Sequence, residues 1–89
     1  MATLLIDYDL RTPGRDYANL IAAIQAYPWC HYLKSSWLVK AALTPTQLAQ
    51  SLRQHIDAND GLFVVDVTSD AAAWYGLTQT VSEWIKANL

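Results

Sequence analysis

Asp7 and Asp9 are the residues of this chain whose type and spacing best suit chemistry. They stand in the run Leu4-Leu5-Ile6-Asp7-Tyr8-Asp9-Leu10. There Leu4, Ile6 and Tyr8 alternate with Leu5, Asp7 and Asp9, a period of two that marks a strand. Both carboxylates then share one face, roughly 7 Å apart along the strand. Hard oxygen ligands of this kind suit Mg²⁺ or Mn²⁺, which take one or two carboxylates and keep several waters. With Asp9 as ligand and Asp7 assisting, such an ion activates water and stabilises charge on a phosphodiester. Unpaired carboxylates on an otherwise buried strand are costly. They must therefore meet water, a metal, a basic partner or a second copy of themselves. The competing role is local and structural. Arg11 and Arg15 flank the Pro13-Gly14 break, so Asp9 can pair with either cation and accept from the turn amides, fixing the strand-to-helix bend. Metal-assisted hydrolysis needs a fuller ligand shell than one strand offers.

The remaining chemistry-bearing residues are weaker candidates. His31 and His55 are candidate general bases, since imidazole is the side-chain type suited to that role, but their separation is no metal-ligand spacing. His55 reads most simply as a solvated or helix-end cation, and His31, beside Trp29 and Tyr32, as a packed neutral imidazole. Cys30 is the only cysteine. It excludes an internal disulfide, reads as a small core residue and fits a reducing cytoplasm. No glycine-rich phosphate loop or nucleophile elbow is present. Trp29, Trp37, Trp74 and Trp84 could stack bases on a sheet platform. That use needs interleaved cations, and only Lys34-Ser35-Ser36-Trp37 and Lys40 approach it. Packing in the core and in a dimer contact is the simpler role for these rings.

Composition narrows the classes. The 89 residues allow one domain, spanning 1–89 with a C-terminal extension at about 69–89. More than half the residues are hydrophobic, which predicts apolar surface covered by self-association, the alternative being a small core rich in Trp. Net charge is −2, from six basic and eight acidic residues. Nucleic-acid binders usually carry a basic excess, so a general affinity is not expected. A local rim of Arg11, Arg15, Lys34, Ser36 and Lys40 is the nucleic-acid candidate that remains. No signal peptide or membrane-length apolar run is seen, so the expectation is a cytoplasmic protein without a membrane span.

These residues must be positioned by a small set of elements. After the turn, Asp16 can cap a helix through about Ala26, with Tyr17, Leu20, Ile21 and Ile24 forming its apolar stripe, and Pro28 closes it. Two short strands follow, about 30–34 and 36–42, joined at Lys34-Ser35-Ser36; a single bulged strand would have the same composition. Thr44-Pro45-Thr46-Gln47 is a capping box with proline in the first turn. It opens a helix whose stripe is Leu48, Leu52 and Ile56 and whose end is Asn59-Asp60-Gly61. Leu62 to Val67 is an apolar run broken by Asp66, predicted to be a strand with both sides largely covered. Ser69 to Gly76 is irregular. Thr80-Val81-Ser82-Glu83 is a second capping box that opens a short final helix bearing Val81, Trp84 and Ile85.

The predicted class is α+β. The order β-α-β-β-α-β followed by a short helix is that of a ferredoxin-like sandwich, an antiparallel sheet with two helices on one face. Leu4, Ile6 and Tyr8 would face the helices, leaving Leu5, Asp7 and Asp9 on the open face. Two such faces in contact would bring two copies of Asp7 and Asp9 to a common cleft.

The strand ending in Tyr8-Asp9-Leu10, the turn and amphipathic helix, the hairpin, the capped second helix and the last apolar strand together resemble the CRISPR-associated protein 2 family. The likeness extends to the related VapD-like ribonucleases and, within that group, to small stand-alone members. It spans roughly residues 3–68 and rests on element order plus the Tyr-Asp-hydrophobic motif. The resemblance implies a homodimer with an acidic pair at its interface. Asp9 matches the strand-end aspartate that holds a divalent metal in active members, and Ser36 matches a serine of the hairpin. Some members are metal-dependent nucleases and others non-catalytic scaffolds for nucleic acid. This chain lacks the family's basic residues in the hairpin and adds the tail Ala71–Leu89, which could replace or cover the final strand exchange of many family dimers. Three functions stay open: a non-catalytic homodimeric module that binds nucleic acid or protein, a metal-dependent endonuclease with Asp9 at the dimer interface, and a purely structural subunit. The acidic balance favours the first.

Overall fold

A computed structural model describes residues 1–89. Its elements are β1 (Ala2–Asp9), α1 (Ala18–Ile24), β2 (Trp29–Leu33), β3 (Ser36–Ala41), α2 (Pro45–Arg53), β4 (Gly61–Asp66) and α3 (Gln79–Asn88). The four strands form one antiparallel sheet in the order β2-β3-β1-β4. The α+β class and antiparallel sheet expected from the sequence are therefore observed. No helix is long and apolar enough to cross a membrane.

The alternation in β1 works as read. Leu4 and Ile6 are wholly buried and lie opposite Val39 and Trp37 of β3. With Leu20 and Ile24 of α1 and Leu48 and Leu52 of α2, they form the core between the sheet and two helices. Each such side chain contributes about 1.5–3 kcal/mol on burial. Trp37 is the largest residue of this core, and its indole N–H donates to the Tyr8 hydroxyl at 3.0 Å. Without that acceptor the buried N–H would be left unpaired, at a cost of about 1–3 kcal/mol.

Helix ends differ in part from expectation. Thr44 accepts from the Gln47 amide at 3.2 Å while Gln47 accepts from the Thr44 amide at 2.9 Å, completing the box. The helix it opens stops at Arg53, so Ile56 packs from the loop beyond. Asp16 does not cap α1. Its carboxylate accepts from the Ala18 amide at 2.9 Å, two residues on, which makes a turn ahead of the helix. Nor does Thr80 open the last helix. Thr78 caps it by accepting from the Val81 amide at 3.3 Å, while Glu83 bonds to Gln79 instead of closing a box.

The other sheet face holds the main departure from the sequence reading. The C-terminal helix is not short: at 10 residues it is the longest of the chain. It folds back so that Ile85 packs with Cys30 of β2 and Leu38 of β3, joined by Leu5, Tyr32, Val67, Trp74 and Trp84. The Thr3 hydroxyl donates to the Asn88 carbonyl, pinning the tail to β1, and within the tail the Trp74 indole donates to the Ser82 hydroxyl at 3.0 Å. The face expected to be open is thus partly covered by the chain itself. Coverage stops short of one end. Leu33, Ser36, Asp7 and Phe63 lie directly opposite one another across all four strands, and Phe63 is 61% and Leu33 56% exposed. The apolar run of β4 predicts a strand with both sides largely covered. It is instead an edge strand with one side half bare, because α3 packs over β2 and β3 at the far side of the sheet.

Candidate functional site

The end of the sheet where β1 stops gathers most of the candidate residues. Asp7 and Asp9 share the face away from α1 and α2, as the alternation requires. Each carboxylate has a partner within the chain. Asp7 accepts from the Ser36 hydroxyl at 2.8 Å, across the β1–β3 pairing. Asp9 accepts from Arg11 Nε at 2.9 Å in an ion pair whose carboxylate side is 70% exposed. Exposed pairs of this type contribute about 0–1 kcal/mol.

Arg11 is held on both sides. Its terminal nitrogen donates to the Asn59 carbonyl at 3.2 Å. Its guanidinium crosses Gly61 so closely that a Cβ there would sit 3.1 Å from Nη2. Gly61 lies opposite Asp9, so the missing side chain is what leaves room for this cation. Gly14, at φ 78°, makes the turn between β1 and α1 with a backbone that other residues rarely adopt.

Asp60 is the hub that joins this end, and the sequence reading gave it only the role of a helix terminator. Its Oδ1 accepts from the Arg11 amide at 2.7 Å, and its Oδ2 accepts from the Tyr17 hydroxyl at 2.6 Å and the Asp57 amide at 2.8 Å. Partial burial pushes the Asp60 carboxyl upward, but these donors and the Arg15 charge outweigh it and hold the group below its usual range. Burial and the adjacent Asp60 carboxylate raise the Tyr17 phenol. Arg15 lies 3.7 Å from Asp57 and 5.5 Å from the centre of the Tyr17 ring. The one available signal was Asn-Asp-Gly between a helix and a strand, which favours a turn whose aspartate bonds backbone amides.

The five proposed nucleic-acid contacts divide. Arg11, Arg15, Lys34 and Ser36 lie at this end, on the loop after β1 and the β2–β3 turn. Lys40 pairs with Thr3 near the opposite end of the sheet. Arg11 and Arg15 are matched to Asp9 and Asp57, while Lys34 and Lys40 make no ion pair. His31 stacks on Trp37, with ring centres 3.8 Å apart, and its Nε2 lies 3.1 Å from the Lys34 carbonyl, which accepts. Its role is thus packing at the β2–β3 turn. Cys30 is buried, and burial raises its thiol.

No group of three or more His, Cys, Asp or Glu side chains converges. Within one chain the donor set does not fit Mg²⁺ or Mn²⁺, because Asp9 is paired with the Arg11 cation, Asp7 accepts from the Ser36 hydroxyl, and no third ligating side chain joins them. A divalent ion here would have to displace Arg11 and draw further ligands from another molecule.

Comparison with protein-family models, with curated proteins and with solved structures returns no match.

Proposed function

We propose that this protein is a non-catalytic, homodimeric module of ferredoxin-like fold that binds another macromolecule, as the resemblance to the CRISPR-associated protein 2 family implies. The observation that carries this reading is the engagement of both carboxylates, Asp9 by Arg11 and Asp7 by Ser36. A hydrolytic centre needs free oxygen ligands and room for water beside them. The strand order β2-β3-β1-β4 and the element order support the ferredoxin-like assignment. Pairing of both arginines with carboxylates favours a protein partner over nucleic acid, whose phosphates need unpaired cations.

The alternative is a metal-dependent endonuclease. One observation favours it: the Asp9 carboxylate is 70% exposed and shares the uncovered part of the sheet face with Asp7, so two copies in face-to-face contact would bring four carboxylates together. The test is cleavage of labelled single- and double-stranded RNA and DNA with Mg²⁺ or Mn²⁺, wild type beside Asp9→Asn. The binding-module reading expects no turnover in either protein. Cleavage by wild type that disappears in Asp9→Asn would replace it with the nuclease.

A further inference from the structure

The two edges of the sheet are treated very differently. β2, at one edge, is five residues long, is broken by a bulge between His31 and Leu33, and is followed at once by Lys34. α3 packs against it. Short length, a bulge, a nearby lysine and a covering helix are the devices by which sheets blunt an edge against pairing. β4, at the other edge, is one residue longer and has neither bulge nor lysine, and α2 packs against one of its faces without covering the outer edge. Its sequence is Gly61-Leu62-Phe63-Val64-Val65-Asp66, without Lys, Arg or Pro, and its pairing with β1 is regular throughout.

The free backbone groups of β4 can be assigned. The Val67 amide donates to the Thr3 carbonyl, so in this antiparallel ladder the odd-numbered residues 63 and 65 turn their N–H and C=O toward β1. Leu62, Val64 and Asp66 turn theirs outward, where the sheet has no further strand. An open groove of about 640 Å³ between α2 and this edge, lined in part by Gln50, Arg53, Ile56 and Leu62, leaves the helix side of the edge accessible.

We infer that β4 is the surface through which two copies of this chain associate, by antiparallel pairing of β4 with itself into one continuous sheet. The inference rests on the self-association proposed above and names its interface. The edge is self-complementary about Val64. A twofold axis there pairs Val64 with the partner's Val64 and Leu62 with the partner's Asp66, and each pair exchanges two N–H···O bonds through the outward groups. Asp66 then meets an apolar residue, so no like charges oppose each other. On the face that α3 leaves bare, the exposed Phe63 falls opposite the partner's Val65, an aromatic–β-branched pair of the kind that stabilises cross-strand contacts. One register thus satisfies the unpaired backbone and covers the largest exposed side chain of the strand.

Amide hydrogen exchange across a protein concentration series, read beside sedimentation equilibrium, tests this without substitution. The amides of Leu62, Val64 and Asp66 should slow by about tenfold or more as the mass rises from 10.0 kDa to twice that value. Those of Phe63 and Val65, already bonded to β1, should be slow throughout. Val64→Pro removes an outward N–H and should return the mass to that of one chain with the far-ultraviolet circular dichroism retained. Phe63→Lys, at an exposed position, should weaken the dimer if the proline variant fails to fold. Leu33→Lys, on the sheet face but away from this edge, should leave the dimer intact. A dimer whose outer amides still exchange freely, and which Leu33→Lys dissociates, would overturn the edge while leaving self-association in place. A single-chain mass at every concentration would overturn both.

Discussion

The two faces of the sheet were built by different means. On one, Leu4, Ile6, Trp37 and Val39 meet Leu20, Ile24, Leu48 and Leu52, all at most 1% exposed, and two amphipathic helices close over them. On the other, Thr3, Cys30, Leu38 and Ile85 are buried, under a single helix that arrives from the far end of the chain and leaves Asp7, Asp9 and Phe63 uncovered. A face sealed by two helices close in sequence to its strands carries stability. A face sealed by one distant helix is half finished, and its bare end is where a partner has something to bind.

The comparison can be broken by substitution. Ile6→Ala, at the centre of the sealed face, should cost about 3–4 kcal/mol in denaturant unfolding, since nothing near it can collapse into the space. Ile85→Ala, its counterpart on the second face, should cost about 2 kcal/mol, because several of its neighbours are half exposed and can shift inward. Equal losses at the two sites would show the faces to be equivalent.

Two further substitutions probe the polar end. The Asp60 carboxyl is held below its usual range, so the unfolded chain binds its proton at higher pH than the folded one. The stabilisation this group provides is present above the unfolded value of about 4 and is lost as pH falls through the lower folded value. Asp60→Asn should therefore flatten the acid limb of stability below about pH 4, read as denaturation midpoint against pH. The residual acid dependence should reflect Asp66, whose carboxyl is lowered by the Thr68 hydroxyl and amide. Asp9→Asn should have the smallest effect, under about 1 kcal/mol, because it loosens only an exposed pair with Arg11. A larger loss would mean that Arg11 depends on Asp9 more than on Asn59.

The period of two from Leu4 to Tyr8, the box at Thr44–Gln47 and the stripe of Leu20 and Ile24 determined the sealed face, because each is a local pattern whose consequence is local. The sequence also named Asp9 and Arg11 as neighbours, since two residues at a strand end are close in any fold. Tertiary structure alone decided the rest. Tyr17 and Asp60 lie 43 positions apart, and no periodicity reports that a phenol and a carboxylate so separated will meet. α3 could be recognised as amphipathic, yet its stripe of Val81, Trp84 and Ile85 does not say which surface it covers. Which end of the open face stayed bare followed from that choice, because one helix is narrower than four strands and, having packed beside β2, cannot also reach Phe63.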